Sequence, residues 1–278
     1  MKLLDRLLAR DAPPRTLAVV AHSDDETIGA GILLSRLADV RVLHLTNSAP
    51  RDERFIRDRF AGTREEYERT RRQELEAAME LAGIAPERLL RLEGVADQEA
   101  VQVLPRLARE LAGLFRQLRT EVVLTHAYEG GHPDHDAAAV AVRTAAELIR
   151  RGKGTPPEIV EMALYHARPG GARPGADEPA VQELLPPSET AEILELSSEE
   201  RALKERMLDC FASQKDLLTL FRPPVREVFR PAPRIDISRP PHEGRLQSES
   251  WDFSIDGASW RDLARDAVEE LEMPGWRG

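Results

Sequence analysis

The sequence predicts an α/β fold: a Rossmann-like, doubly wound, mostly parallel sheet with helices on both faces and a C-terminal extension. Three observations carry this. Near-continuous apolar runs such as Leu17 to Ala21 suit strands buried on both faces. Five such runs alternate with helical patterns, which is the signature of a parallel sheet with crossover helices. The unusual polar motifs His22-Ser-Asp-Asp-Glu26 and Gly130-Gly-His-Pro-Asp-His135 follow the first and fourth runs, where open α/β sheets place their ligands.

In chain order, MKLLDRLLAR reads as a short amphipathic lead-in helix, too charged at Asp5 and Arg6 for a secretory or membrane-spanning segment. The first strand ends before His22, a helix runs from Ile28 to Leu37, and Val40 to Leu45 is the second strand, completing a βαβ unit. Residues 48–62 carry four arginines and no clear period, and read as a substrate-side loop. Thr63 and Glu66 match a capping box that starts a helix to Ala82, stopped by Gly83. Leu89 to Leu92 is a third strand and Gln98 to Leu118 a helix in which Pro105 marks either the start, near Leu104, or a kink. Glu121 to Thr125 is the fourth strand, followed by the second motif and an alanine-rich helix to about Arg151; Ile159 to Tyr165 is the fifth strand. Residues 169–187 read as a flexible Pro/Gly/Ala-rich excursion, Ala191 to Leu196 as a further strand, and Ser197 as the cap of a helix through Leu218. The division expected is a catalytic domain over 1–220 and an extension over 221–278, with a final helix near Trp260 to Leu271, packed on the core or on a neighbouring subunit of a homo-oligomer.

Composition narrows the function classes. Apolar residues make up 41% and charged residues 32% of 278, a globular balance with a strongly solvated surface. The net charge of −10 argues against nucleic-acid backbone binding. No membrane span is expected, and the cytoplasm is the expected compartment. Cys210 is the one cysteine, so an internal disulfide and a cysteine-built zinc site are both ruled out; it reads as a small buried helix residue.

The chemistry gathers at the two motifs. Asp24, Asp25 and Glu26 repel one another unless something positive sits among them, and His22 adds a borderline-soft ligand beside the hard carboxylates. His22 and Asp25 stand three apart, as do His132 and His135, a spacing that lets two side chains converge on one ion. Two histidines and one carboxylate leave a coordination position open for water, the mark of a catalytic rather than a structural site. A further carboxylate is then available as proton acceptor and a spare histidine as oxyanion donor. His44 lies within a strand and reads as structural; His126 and His166 end strands and are candidates to line the crevice; His242 carries no signal.

HSDDE after the first strand with GGHPDH after the fourth resembles the PIG-L/LmbE-like family of metal-dependent N-acetylglucosaminyl deacetylases. The likeness covers most of residues 15–220 and includes Arg71 and Glu74 on a helix ending in Ala-Gly and the helix KERMLDCFASQ. The resemblance implies a zinc-dependent hydrolase, with Fe2+ as the other candidate metal, that removes an acetyl group from the amide nitrogen of a small-molecule amino-sugar conjugate. It implies His22, Asp25 and His135 as the metal ligands, Asp24 as the general base that activates water, and His132 as the histidine that stabilises the oxyanion. Arg71 matches a sugar- or phosphate-contacting arginine, with Arg72 as the competing alignment. Two departures stand out: Ser23 replaces a usual proline, and Gly130-Gly131 replaces a Tyr-Gly pair, leaving Tyr128, two positions earlier, as the substrate-binding tyrosine.

Two rival classes are weighed. A non-haem iron oxygenase also uses two histidines and one carboxylate, but such sites with the His-x-Asp spacing sit on double-stranded β-folds rather than alternating helices and strands. A nucleotide-binding Rossmann module is hinted at by Gly29-x-Gly31, but the full fingerprint is missing and Thr46-Asn47 supplies no acid for a ribose.

Overall fold

In this computed structural model the described residues are 2–56, 60–168, 178–253 and 255–273. A short lead-in helix, α1 (Leu3–Leu7), precedes β1 (Thr16–Val20), which is buried at every position. Helix α2 (Asp25–Arg36) starts within the acidic motif and leads to β2 (Val40–His44). Helix α3 (Arg64–Leu81) opens on the capping box: the Thr63 hydroxyl accepts the Glu66 N–H and the Glu66 carboxylate accepts the Thr63 N–H. Strand β3 (Leu89–Arg91) is followed by α4 (Leu104–Gln117). Pro105 sits in the first turn of α4, where a missing N–H costs no hydrogen bond, so it starts the helix rather than kinking it. Strand β4 (Val122–His126), helix α5 (Pro133–Arg151) and strand β5 (Glu158–Met162) complete the alternation.

Beyond β5, β6 (Tyr165–His166) pairs with β7 (Ala180–Val181), and β8 (Glu192–Glu195) precedes α6 (Ser198–Asp209). Residues 169–177 of the Pro/Gly/Ala-rich excursion, and 57–59 of the arginine-rich loop, lie outside the described residues. The helix expected to run from Ser197 to Leu218 instead breaks after Cys210, which is only half-buried. A short turn, Ala212–Gln214, separates α6 from α7 (Lys215–Leu218). Local bonding explains the break. Ser213 donates to the Glu74 carboxylate through both N–H (2.8 Å) and hydroxyl (2.6 Å), and the Gln214 amide donates to the Tyr67 hydroxyl (2.6 Å). The chain ends through β9 (Arg226–Pro231), α8 (Gln247–Ser250) and α9 (Gly257–Glu270).

The main sheet has seven strands in the order β3-β2-β1-β4-β5-β9-β8. Strands β1 to β5 are mutually parallel and β9 pairs antiparallel with both β5 and β8. The winding reverses between β1 and β4, so the carboxyl ends that carry the two motifs are neighbours. Alternation along β1 divides the core: Ala18 and Val20 face α2, α3 and α6, while Leu17 and Val19 face α4, α5 and α9. The described residues beyond 220 pack on the core built by the rest of the chain. They supply β9 to the interior of the sheet, and Trp260 and Val268 of α9 to the second core layer. Among the described residues no helix is long and apolar enough to cross a membrane.

Candidate metal centre

Three short stretches meet where the winding reverses. The chain leaves β1 into His22, and the first turn of α2 presents Asp25, with Asp24 just ahead of it. His126 ends β4 and accepts the Ala21 N–H across the strand pair (3.0 Å). His132 sits at the N-terminal boundary of α5, where its Nδ1 accepts the Asp134 N–H (3.1 Å), and His135 stands one turn along. The loop between β4 and α5 is held by Asp136, whose carboxylate accepts the Glu129 (3.0 Å) and Gly130 (3.1 Å) N–H groups. Gly130 has φ +70°, and a Cβ on Gly131 would run into the Tyr165 carbonyl oxygen, so these glycines are required by the turn and by close approach.

Asp25 is the centre of the cluster. Its Oδ2 accepts the His22 N–H (2.7 Å) and lies 3.3 Å from His22 Nδ1 and 3.4 Å from His126 Nε2; its Oδ1 lies 3.1 Å from His135 Nε2. His22 Nε2 faces Asp134 Oδ2 (3.1 Å) and Asp97 Oδ1 (3.2 Å), and His132 Nε2 lies 3.7 Å from that same Asp97 oxygen. Asp134 is fixed from behind by the N–H groups of Gln98 (2.6 Å) and Ala100 (3.0 Å). Ligand atoms of His22, His132 and His135 lie within 4.8 Å of one another, as do those of Asp25, His126 and His135, and those of His22, Asp97, His132 and Asp134.

The electrostatics follow from burial against charge. Burial lowers the pKa of His132 to about 3, with His22 adding to the effect, and that of His135 to about 4 against the opposing pull of Asp25. Burial opposes protonation of His22 too, but Asp97, Asp134 and Asp25 outweigh it and raise its pKa well above the ordinary value. Burial would raise Asp25 and Asp97; neighbouring imidazoles hold Asp25 well below the carboxylate range, and His22 chiefly brings Asp97 to about 2. Asp24 is raised to about 7 by burial, with Arg71 opposing. Buried carboxylates thus meet imidazole nitrogens at close range, and Asp97 Oδ1 and His126 Nδ1 lack hydrogen-bond partners. Mixed nitrogen and oxygen donors at this spacing fit a divalent transition ion.

The cluster forms the floor of a cavity of about 460 Å³. Arg71 lines it, buried, with Nη2 3.2 Å from Asp24 Oδ2 and Nη1 3.9 Å from Glu74. Arg72 pairs with Glu76 (2.6 Å) and, unlike Arg71, does not line the cavity. Tyr128 is not brought to the cavity: its hydroxyl donates to the Arg239 carbonyl (3.0 Å) and its ring packs against Trp260. Tyr165 lines the cavity, its ring 5.3 Å from that of His135. His44 is structural, bonding Glu26 (3.0 Å) under the helix start. His166 bonds its neighbour Ala167 and does not line the cavity; His242 bonds the adjacent Glu243 carbonyl.

Sequence reasoning missed Asp97, Asp134, Tyr165 and the rim residues Trp251 and Phe253. Asp97 lies beyond the carboxyl end of β3, where the winding rule could have flagged an acid, and Asp134 lies between the two motif histidines. No sequence signal marks the other three. The same crevice, filled by carboxylates, is hostile to the pyrophosphate of a dinucleotide.

A profile of the family described as PIG-L, GlcNAc-PI de-N-acetylase, matches residues 17–146. A probable N-acetyl-α-D-glucosaminyl L-malate deacetylase 2 of Bacillus subtilis is 30% identical over 156 residues, covering 55% of this chain and 68% of the relative. The chain belongs to the PIG-L family. A second PIG-L relative, the 1D-myo-inositol 2-acetamido-2-deoxy-α-D-glucopyranoside deacetylase 2 of Catenulispora acidiphila, is 31% identical over 158 residues, 49% of this chain and 52% of the relative. The chain thus spans about half the length of that curated relative. Among solved structures, the A40926 pseudoaglycone deacetylase shares the PIG-L fold with a TM-score of 0.58 at 20% identity, over 78% of this chain and 96% of that one. The stretch matched to PIG-L runs from β1 into α5 and so contains both motifs, while Trp251 and Phe253 lie outside it.

Proposed function

We propose that the protein is a metal-dependent amidohydrolase that removes an acetyl group from the nitrogen of an N-acetylglucosamine-type conjugate. The observation that carries this reading is the separation of roles among adjacent acids. Asp25 faces His22 and His135, whereas Asp24 turns to Arg71 and opens on the same cavity.

In this reading His22, Asp25 and His135 hold the ion. In this reading the Asp134 carboxylate accepts the His22 Nε2–H, which fixes the tautomer and leaves Nδ1, beside Asp25, as the ligating nitrogen, the familiar pairing of a ligating imidazole with a supporting carboxylate. A bound divalent ion, zinc from the donor set with ferrous ion as the other candidate, supplies Lewis acidity and lowers the pKa of water toward ~7. Asp24, with its pKa near 7, is suited to take a proton from the attacking water and return it to the departing nitrogen as the carbon–nitrogen bond breaks. His132 accepts the Asp134 N–H at Nδ1, so its ring proton resides on Nε2, on the cavity side, as a neutral donor to the developing oxyanion. Arg71, the guanidinium that lines the cavity, is placed to meet the substrate, and Asp97 lines it as a carboxylate for a hydroxyl. The names borne by the relatives supply the sugar; the geometry supplies the hydrolysis.

The test is to incubate zinc-loaded protein with a panel of N-acetylglucosamine conjugates and measure free amine. Asp24→Asn is expected to keep its zinc and lose turnover by about 10²–10⁴-fold. Absence of amine from every conjugate at full zinc occupancy, or near-normal turnover by Asp24→Asn, refutes the proposal.

A further inference from the structure

The floor of the cavity is polar, but its mouth is not. Phe55 from the turn after β2, Leu217 of α7, Leu220 just beyond it, and Trp251 and Phe253 after α8 line the opening. Phe55, Leu217, Trp251 and Phe253 are half-buried and Leu220 is 36% exposed. They come from three separate segments yet form one surface: Phe253 stacks on Phe55 with ring centres 5.7 Å apart, and Trp251 lies 5.0 Å from the Tyr165 ring. The same Phe253 meets His132 edge-on at 4.3 Å, so the apolar wall reaches the reacting end. It is also built in advance. The Ser248 N–H donates to the Gly130 carbonyl (3.1 Å), which ties the segment bearing Trp251 to the loop that carries His132. A contiguous patch of exposed apolar side chains continuous with a catalytic cavity is a ligand surface rather than an accident of packing.

Charge decides what kind of ligand. Asp24, Asp25, Asp97 and Asp216 line the cavity against Arg71, the one lysine or arginine in its lining among the described residues. Even a bound dication leaves no surplus of positive charge there. Arg54, which lies over Phe55, is engaged by Asp52 at 2.7 Å. We infer that Trp251 and Phe253, with Phe55, are specificity-determining residues that bind an apolar, uncharged aglycone on the amino sugar and select against a phosphorylated or carboxylated one. This rests on the hydrolase reading above. Within it, the polar floor serves the sugar and the aromatic mouth serves what the sugar is attached to.

The test pairs benzyl N-acetylglucosaminide with N-acetylglucosamine 1-phosphate on the zinc-loaded full chain. Wild type is expected to prefer the benzyl compound at least about tenfold in kcat/KM, and Phe253→Ala or Trp251→Ala to erase most of that preference through KM rather than kcat, the scale of one lost aromatic contact. Phe253→Leu is expected to retain most of it, and zinc content reports that each variant is folded. A second arm needs no turnover: tryptophan fluorescence of the Asp24→Asn protein is expected to respond to the benzyl compound at concentrations where the phosphate has no effect. Equal handling of the two compounds, preference for the phosphate, or a preference that survives Phe253→Ala and Trp251→Ala overturns the inference. If no conjugate yields amine, the hydrolase reading falls, and the fluorescence arm decides the aromatic mouth by itself: selective response to the benzyl compound upholds it and none refutes it.

Discussion

Lys204→Met should destabilise this protein far more than a lysine substitution ordinarily does. Lys204 is 1% exposed, and its Nζ donates to Glu227 Oε1 (2.6 Å) and to the Ile28 carbonyl (2.8 Å). Glu227, on β9, reaches into the middle of α2, accepting the Ile32 N–H (2.8 Å) at Oε1 and the Leu33 N–H (2.9 Å) at Oε2. The pair therefore splices a strand and two helices through one opened turn of α2. Methionine matches the length of the lysine stem, so no large cavity forms, and what remains is a buried carboxylate without its cation. Removing one partner of such a pair costs about 3–5 kcal/mol. At about 2–4 °C per kcal/mol for a chain of this class, the melting temperature should fall by roughly 6–20 °C. Glu227→Gln should also destabilise, because it strands the buried Lys204 ammonium and turns an amide NH2 toward one of the three donors. The double variant should lie at least about 0.5 kcal/mol above the sum of the singles, since neither charge is then stranded. Urea unfolding of the zinc-loaded chain, checked for an unchanged m-value, measures all three. A Lys204→Met cost below about 1 kcal/mol, or strict additivity in the double variant, would refute the reasoning.

Three further outcomes are expected. His135→Ala should lose stoichiometric zinc, while Asp134→Asn, which disturbs only the group behind His22, should weaken zinc binding about 10–100-fold; metal titration followed by elemental analysis ranks the two, and equal losses would contradict the assignment. Gly131→Ala places a methyl group against the Tyr165 backbone carbonyl, which cannot swing aside, and should cost about 1–3 kcal/mol in urea unfolding. Tyr128→Phe should cost about 0.5–1.5 kcal/mol for its bond to the Arg239 carbonyl and leave the metal content and kcat unchanged; a large fall in kcat would place the tyrosine back at the cavity.

Much of the fold and half of the site are legible in the sequence, and the division has a physical basis. Strands buried on both faces betray themselves as apolar runs, so β1, β2, β4 and β5 are visible, and the neighbouring of β1 and β4 follows from winding rules alone. The Thr63–Glu66 capping box is equally plain because both its bonds are local. Strand β9 is hidden because its buried positions include charges: Glu227 serves Lys204 and α2, and Arg230 pairs with Glu161 (2.6 Å) beside Arg143. A segment read for hydrophobicity cannot declare that its ions are neutralised by partners tens of residues away. Asp97 and the aromatic mouth are hidden for the same reason, being assembled by tertiary approach from loops with no period. The displaced Tyr128 shows the opposite error, where a plausible residue type two positions out of register points the wrong way.

The adjacent acids of the first motif separate by partner, not by residue type. Asp24 is met by a guanidinium, Asp25 by imidazole nitrogens, and Glu26 by His44 and the Asp24 N–H. Glu161, elsewhere in the core, shows how the chain treats a buried carboxylate whose role is structural: it is flanked by Arg143 and Arg230, so its charge is cancelled by the protein itself. Asp25 receives no such treatment. Its neighbours are the imidazole nitrogens of His22, His126 and His135, and His135, on the first turn of the helix that follows the other strand, is one that burial tends to strip of its proton. An ion pair could have been built there with a single arginine at lower desolvation cost. A carboxylate met by imidazoles instead of a guanidinium is a donor set suited to a cation from solution. That is why Asp25 and Asp24, adjacent and chemically identical, are not interchangeable: under the proposed assignment, exchanging their surroundings would put the guanidinium on the ligand and leave the proton acceptor buried among histidines.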